Sequence, residues 1–325
     1  MNKRNITVSV FVFAYNHEKF ICDCLDGIVM QKTTFDYEVL VQDDASKDLT
    51  PKFISEYEKK YSFLTAVYNK ENIYSKGGNI NEYFYRNAKG KYFAICEGDD
   101  YWTDPYKLQK QVDFLVKNPL FSLCYHMVET PGYTNNDGAY LIRGNISTSF
   151  IPTCSVVFRN NKRIVNLFLE YSKDVISGDQ FLFYLCDFEG EIKFLNFVGG
   201  CYNQTEEGIS KKIGIRSKKW DTNRVLMYSR LLTIAPMNKK MNLIKVALSS
   251  LFNAMTHGIS QPYLKHPFHA FKIIILGFIF YPRYTLYRTK YLLEGIKSSL
   301  QICVYENNCQ KKDASSRRYA EPFLH

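Results

Sequence analysis

The stretch AICEGDDYW places Glu97, Asp99 and Asp100 within four positions, at the end of an apolar run (Tyr92 to Cys96) that reads as a buried strand. Carboxylates this close repel one another, and each resists leaving water. A divalent cation removes the repulsion. A hard ion such as Mg2+ or Mn2+ held by only one or two protein carboxylates keeps coordination positions open, and nucleotide phosphate oxygens are their usual occupants. The plainer alternative is that the acids cap the helix near Asp104 or face solvent in a turn. Asp104, just before Pro105, suits a cap, but capping does not call for Glu97, Asp99 and Asp100 together.

A second acidic pair, Asp43 and Asp44, closes another apolar run, YEVLVQDD. DDASKD resembles the start of a calcium loop, but the sixth position is Leu49 and the twelfth Ser55, where that loop needs glycine and a bidentate glutamate. Asp43 and Asp44 are therefore read as acceptors for a base or ribose, with FAYN (13–16) offering a tyrosine face and an amide nearby. Cysteines such as Cys22, Cys24, Cys96 and Cys154 stand among apolar neighbours without the paired spacing of a zinc site, and read as core residues.

The elements that must hold these groups alternate. ITVSVFVFA (6–14) reads as a strand, 18–31 as an amphipathic helix, 37–44 as a second strand, and SKDLTPKFISEYEKKY as a helix with Ser46 as a candidate cap and Pro51 in its first turn. A short strand (64–69), a helix closed by Gly90 and a fourth strand (91–97) follow. That rhythm predicts a parallel, helix-covered sheet that binds its ligand outside the carboxyl ends of its strands. Beyond a helix opening at Asp104-Pro105 come a strand (121–128), a polar loop or hairpin (131–145), a strand TCSVVFR (153–159) and a helix opening on Gly178-Asp179.

With 325 residues, 46% of them hydrophobic, the chain can bury a large core, and no apolar run approaches the ~20 residues of a membrane span. The N-terminus is read as a first strand, not a secretory signal, which predicts a cytoplasmic protein. Charge is divided unevenly: residues 1–210 carry 22 Lys and Arg against 27 Asp and Glu, whereas residues 211–325 carry 20 against 5. An acidic body joined to a basic tail is a statement about partners.

Five segments, VSVFVFAYNHEKFI, YEVLVQDDASKDLT, AKGKYFAICEGDDYWTDPYKLQKQVDFL, TCSVVFR and GDQFLFYL, together resemble in their order a bacterial family 2 glycosyltransferase of the GT-A fold, over about residues 5–210. The resemblance implies a mostly parallel, Rossmann-like α/β sheet flanked by helices, a nucleotide-diphosphate sugar donor (usually a UDP-sugar), Mn2+ or Mg2+ as cofactor, and inversion by a single displacement. Carried over, Phe13, Ala14, Tyr15 and Asn16 border the base, and Asp43 and Asp44 bind uracil or ribose. Asp99 is the metal ligand, Glu97 contacts ribose or metal, Asp100 supports the pair, and Asp179 in GDQ is the catalytic base. Taken alone, Asp179 would read as a helix cap. The chain departs from the family at YNQTEEGIS: relatives carry a Y-R-x-H segment whose histidine contacts metal or diphosphate, whereas Asn203 and Thr205 stand here, with Lys211 and Lys212 close by. Tyr101 and Trp102 form either an apolar wall for a sugar ring or an anchor for the next helix.

These readings give residues 1–215 as a catalytic domain, its nucleotide part about 1–103 and its acceptor part about 104–215, and residues 216–325 as a helical, basic extension. Within the extension, IIILGFIFY is interleaved with Lys272, Arg283, Arg288 and Lys290, which suits either the surface of an anionic membrane leaflet or packing against the body. No nucleic-acid recognition module accompanies the charge. The expected function is sugar transfer to a glycan or lipid-linked acceptor in surface polysaccharide synthesis, at the cytoplasmic membrane face. The rivals are a sugar nucleotidyltransferase, which normally carries a glycine-rich phosphate loop that AYNHEKF lacks, and a non-catalytic adaptor on a degenerate version of the fold.

Overall fold

The computed structural model of the chain describes residues 5–130, 151–203, 218–257 and 267–290. Its strands are β1 (Val8–Ala14), β2 (Tyr37–Asp43), β3 (Leu64–Tyr68), β4 (Tyr92–Glu97), β5 (Tyr101–Trp102), β6 (Phe121–Glu129), β7 (Val157–Arg159) and β8 (Glu191–Cys201). Its helices are α1 (Ile21–Val29), α2 (Thr50–Lys60), α3 (Glu82–Asn87), α4 (Lys107–Lys117), α5 (Lys162–Tyr171), α6 (Gly178–Glu189), α7 (Lys218–Ile234), α8 (Met237–His257) and α9 (Pro267–Phe280).

One sheet runs in the order β3-β2-β1-β4-β7-β6-β8-β5. Its first four strands are parallel, as the strand-helix alternation predicts, and β1 and β4 are buried almost end to end because helices cover both faces. Past β4 the sheet becomes mixed: β7 runs antiparallel to both β4 and β6, and β8 pairs parallel with β6 and antiparallel with β5. The chain order reverses between β1 and β4, so the strand ends there open a crevice.

Three local readings change. Ser46 does not cap α2, which begins at Thr50 after Leu49; the Ser46 hydroxyl instead accepts from Asn16 N at 2.8 Å and ties two loops together. TCSVVFR divides into a 3-10 turn, Thr153–Ser155, and the short strand β7. The fourth helix starts at Lys107; Asp104 Oδ1 accepts from Tyr106 N at 2.8 Å, while Leu108 N donates to Gln31 Oε1 at 3.0 Å, so a glutamine beyond the end of α1 shares the capping. The expected loop or hairpin at 131–145 lies outside the described residues.

The chain separates into two compact units, Met1–Ile215 with Thr233–Pro236, and Arg216–Leu232 with Met237–His325. In the second, α8 buries Leu243, Ile244, Ala247, Leu248, Leu251 and Phe252, the spacing of one helical face. Among the described residues no helix is long and apolar enough to cross a membrane.

Candidate active site

The crevice is built by β1 and β4, aligned so that Phe13 stands opposite Glu97. The pairing continues one residue further, Gly98 N donating to Phe13 O at 2.8 Å. This close approach leaves no room for a side chain: a Cβ at Gly98 would stand 2.6 Å from His17 Nδ1 and 3.0 Å from Phe13 O. Gly98→Ala is expected to cost about 1–3 kcal/mol of stability, read from urea midpoints, because the strand ends must separate. An unchanged midpoint would show that the turn has slack.

Beyond β1 the chain turns sharply. Asn16 adopts a left-handed conformation (φ 55°), as does Ala45 after β2 (φ 64°). The two loops are stitched together: Asn16 Oδ1 accepts from Lys47 N at 2.8 Å, His17 N donates to Thr50 Oγ1 at 2.8 Å, and Glu18 N donates to Asp48 Oδ2 at 3.0 Å. The Asn16 amide oxygen is thus used within the protein, whereas the Tyr15 side chain is exposed. Phe13 packs edge-on against Phe84, and Ala14 is buried, its carbonyl accepting from Asp44 N at 2.8 Å.

The two aspartates after β2 divide their work. Asp44 Oδ1 accepts from Asn69 Nδ2 and Ile73 N, both at 2.8 Å, and Oδ2 accepts from Tyr74 N at 3.1 Å, so this carboxylate holds the 69–74 loop. Asp43 Oδ2 accepts from Ser46 N at 3.1 Å, but its buried Oδ1 meets no donor among the described residues. Burial pushes the Asp43 carboxyl above its usual range, against the lowering effect of Ser46. A buried acceptor without a partner is costly unless a ligand N–H or O–H fills the place.

At the end of β4 the carboxyl groups crowd as the sequence implies. Burial, then Asp99 and Asp179, push Glu97 up to about 8. Asp179, at the first turn of α6, is 82 positions away in sequence, yet its charge reaches Glu97. Its own carboxyl is raised by burial, against hydrogen bonds from the backbone N–H groups of Gln180 and Asp179. The Tyr74 hydroxyl belongs to the same group, being raised by burial and then by Asp179 and Glu97. Asp100 is fully buried; Oδ1 accepts from Asn203 N at 2.9 Å, the Cys154 thiol also interacts with the carboxyl, and burial followed by Asp99 and Glu97 raises it strongly.

One participant was not legible in the sequence, and another, Asn203, was named there only as a departure from the family's segment, not as a clamp. Tyr74 lies in an unpatterned loop and arrives only through Asp44. Asn203 clamps the acidic turn, its Nδ2 donating to Asp99 O at 2.6 Å while its N–H holds Asp100. Pairing of β5 with the end of β8 (Tyr101 with Cys201, Trp102 with Gly200) brings Asn203 there. Thr205, Lys211 and Lys212 lie outside the described residues.

Trp102 presents no wall to a ligand. It is 1% exposed, its Nε1 donates to Cys154 O at 2.8 Å, and Lys107 Nζ lies 3.8 Å from its ring centroid. Of the two readings, anchoring of α4 is the one realised, because the ring is already covered. Tyr101 is partly exposed.

Among the described residues no three His, Cys, Asp or Glu converge as a metal cage. The residues present do fit a hard cation held less completely. Glu97 and Asp99 supply oxygen donors only, and Glu97 carries an electrostatic burden that a positive ion would relieve. Asn203→Ala would free the turn carrying Asp99. It is expected to cost about 1 kcal/mol in stability and to weaken Mn2+ binding several-fold, read by calorimetric titration. Full retention of Mn2+ affinity would show that the clamp does not position Asp99.

The fold and site define a class. Crystal structures of Staphylococcus aureus TarS 1-349 in complex with UDP and with UDP-GlcNAc match with TM-scores of 0.57 and 0.58, at 16% identity, over 80% and 83% of this chain and 75% and 80% of theirs. The architecture is the GT-A fold. The sequence model described as glycosyl transferase family 2 matches residues 9–181, and the chain belongs to that family. An uncharacterised protein of Mycobacterium tuberculosis is 32% identical over 229 residues, covering 66% of this chain and 64% of its own length. A Bacillus spizizenii protein described as a poly(ribitol-phosphate) beta-glucosyltransferase is 33% identical over 95 residues, which are 29% of this chain and 15% of its own. The chain thus covers just under two thirds of the mycobacterial relative and a small part of the Bacillus one.

Proposed function

We propose that this chain is an inverting glycosyltransferase, moving a sugar from a nucleoside-diphosphate sugar, most simply a UDP-sugar, to a hydroxyl of a glycan or lipid-linked acceptor. The observation that carries the reading is the convergence of Glu97, Asp99 and Asp179 at the crevice between β1 and β4. The unpartnered Asp43 oxygen supports a base with a ring N–H, as uracil has, and Tyr15 offers that base an exposed ring.

In this reading Asp99, with Glu97, would hold Mn2+ or Mg2+, and the chemistry the ion would supply is neutralisation of the charge on the leaving diphosphate. Asp100 and Asn203 keep the acidic turn in place. Asp179 takes the acceptor hydroxyl's proton as the oxygen attacks the anomeric carbon. Its raised carboxyl serves this role, since a base nearer neutrality holds the proton better during transfer. Tyr74 borders the same space. The Bacillus relative's described activity, glucosyl transfer to poly(ribitol-phosphate), supports a polymeric acceptor, and we place its synthesis among surface polysaccharides.

The test is incubation with UDP-sugars and Mn2+, reading free UDP with and without acceptor. Acceptor-dependent UDP release is expected, and Asp99→Asn should weaken Mn2+-dependent donor binding about tenfold or more. Pyrophosphate release from a sugar phosphate and nucleotide would mark a nucleotidyltransferase instead. No product of either kind would overturn the enzymatic reading.

A further inference from the structure

Helix α9 packs by one side only. Ala270, Ile273 and Gly277 are buried, and a Cβ at Gly277 would lie 2.7 Å from a Leu248 methyl group, so this face lies directly on α8. The opposite side is equally apolar and uncovered. Phe268, Phe271 and Ile279 are 85%, 64% and 63% exposed, and Ile275 and Phe278 are exposed beside them. At 100° per residue these five fall within an arc of about 100°, a continuous apolar stripe. Leu286 and Tyr287, in the helical stretch 282–290, add two more exposed apolar side chains.

A stripe this wide on a water-facing surface marks an interaction site, and its surroundings identify the partner. Residues 222–293 contain ten Lys and Arg and no Asp or Glu. Among them Lys245, Arg283 and Lys290 are exposed. A protein partner of mixed charge would gain nothing from so uniform a field, whereas an anionic lipid surface is matched by it over its whole extent. The helix has 14 residues, too few to span a bilayer, and its exposed stripe is rich in phenylalanine. An apolar face on a short helix within a cationic segment is the form that lies in the interface plane, rings among the acyl chains and cations at the headgroups.

We propose that the Phe268–Ile279 face of α9 docks the protein on an anionic phospholipid bilayer. Such docking gives the acceptor of the function proposed above its location. Vesicle binding is read without donor or acceptor, so its failure is distinguishable from a failure of sugar transfer.

The experiment is cosedimentation of the full chain with vesicles of phosphatidylglycerol and phosphatidylcholine in equal parts, against vesicles of phosphatidylcholine alone. Binding to the anionic vesicles is expected, at least about tenfold tighter than to the neutral ones and weakened by salt. The double variant Phe271→Glu/Ile279→Glu should lose that binding by a further ~tenfold or more while keeping the wild-type thermal midpoint, because both positions face outward. Arg283→Gln/Lys290→Gln should weaken binding less. Equal binding to both vesicle types, or undiminished binding by the double variant, would overturn the proposal. So would a lowered thermal midpoint of the double variant without lipid, showing that the face is covered within the chain, or loss of a self-associated species in sedimentation velocity, showing that it joins two copies.

Discussion

Asp179→Asn is expected to lower the turnover of sugar transfer by about 10²–10⁴, the range that a positioned general base contributes, while donor binding changes by less than about threefold. The amide is isosteric and its oxygen can still accept from the Gln180 N–H at the start of α6, so the local structure survives. What is lost is the ability to take a proton. The substitution also removes a negative charge within electrostatic reach of Glu97, so Mn2+ affinity should hold or fall slightly, by less than about threefold. A purely structural Asp179 predicts instead a clear loss of stability, with donor and Mn2+ binding falling along with turnover. Stopped transfer with intact Mn2+ and UDP binding therefore separates the two roles, and normal turnover in Asp179→Asn would remove the base assignment altogether.

The second large effect concerns Lys107, beneath the site. Its side chain is fully buried beside Trp102, with no carboxylate against it among the described residues, and its Nζ lies 3.5 Å from Val156 O. Burial lowers its pKa from 10.5 to about 7, against the small opposing pull of Cys96, Cys154 and Cys124. Between about 7 and 10.5 the unfolded chain therefore binds a proton that the folded chain does not, and stability rises with pH across that window. The full span corresponds to roughly 5 kcal/mol at most. Lys107→Met keeps the length of the side chain and removes the charge. It should raise stability near pH 7 by about 2–4 kcal/mol, with the gap to wild type closing as pH rises towards 9.5. Guanidinium midpoints of both proteins between pH 6.5 and 9.5 measure this. A gap independent of pH would mean that Lys107 is not the titrating group. Wild type keeps the lysine side chain packed on the ring of Trp102, which comes just after Asp99 and Asp100 in the chain and whose Nε1 donates to Cys154 O.

Much of the fold was legible because its signals are local. A parallel strand covered on both faces must be largely apolar, and VSVFVFA and YFAICE are, apart from Ser9, whose hydroxyl donates to Glu38 Oε1 at 2.7 Å, and the terminal Glu97. Acids at the end of such a strand have few roles, so Glu97, Asp99 and Asp100 stand out by residue type and spacing alone. The mixed half of the sheet was less legible, because β5 and β7 have two and three residues and exist only through pairing with distant partners. Roles within the site were the least legible. Asp43 and Asp44 are adjacent and chemically identical, yet one is saturated by the 69–74 loop and the other keeps an open oxygen. Trp102, a plausible sugar platform by type, is closed off by Lys107.

By itself the sequence determined the strand-helix rhythm, the acidic strand ends and the division of charge between body and tail, since these depend on residue type and short spacing. Tertiary structure alone decided that Asp179 comes within electrostatic reach of Glu97, that Asn203 grips the acidic turn and that the far side of α9 is left bare. The reason is that electrostatic reach, hydrogen-bond saturation and burial depend on distances through space, which chain spacing does not encode.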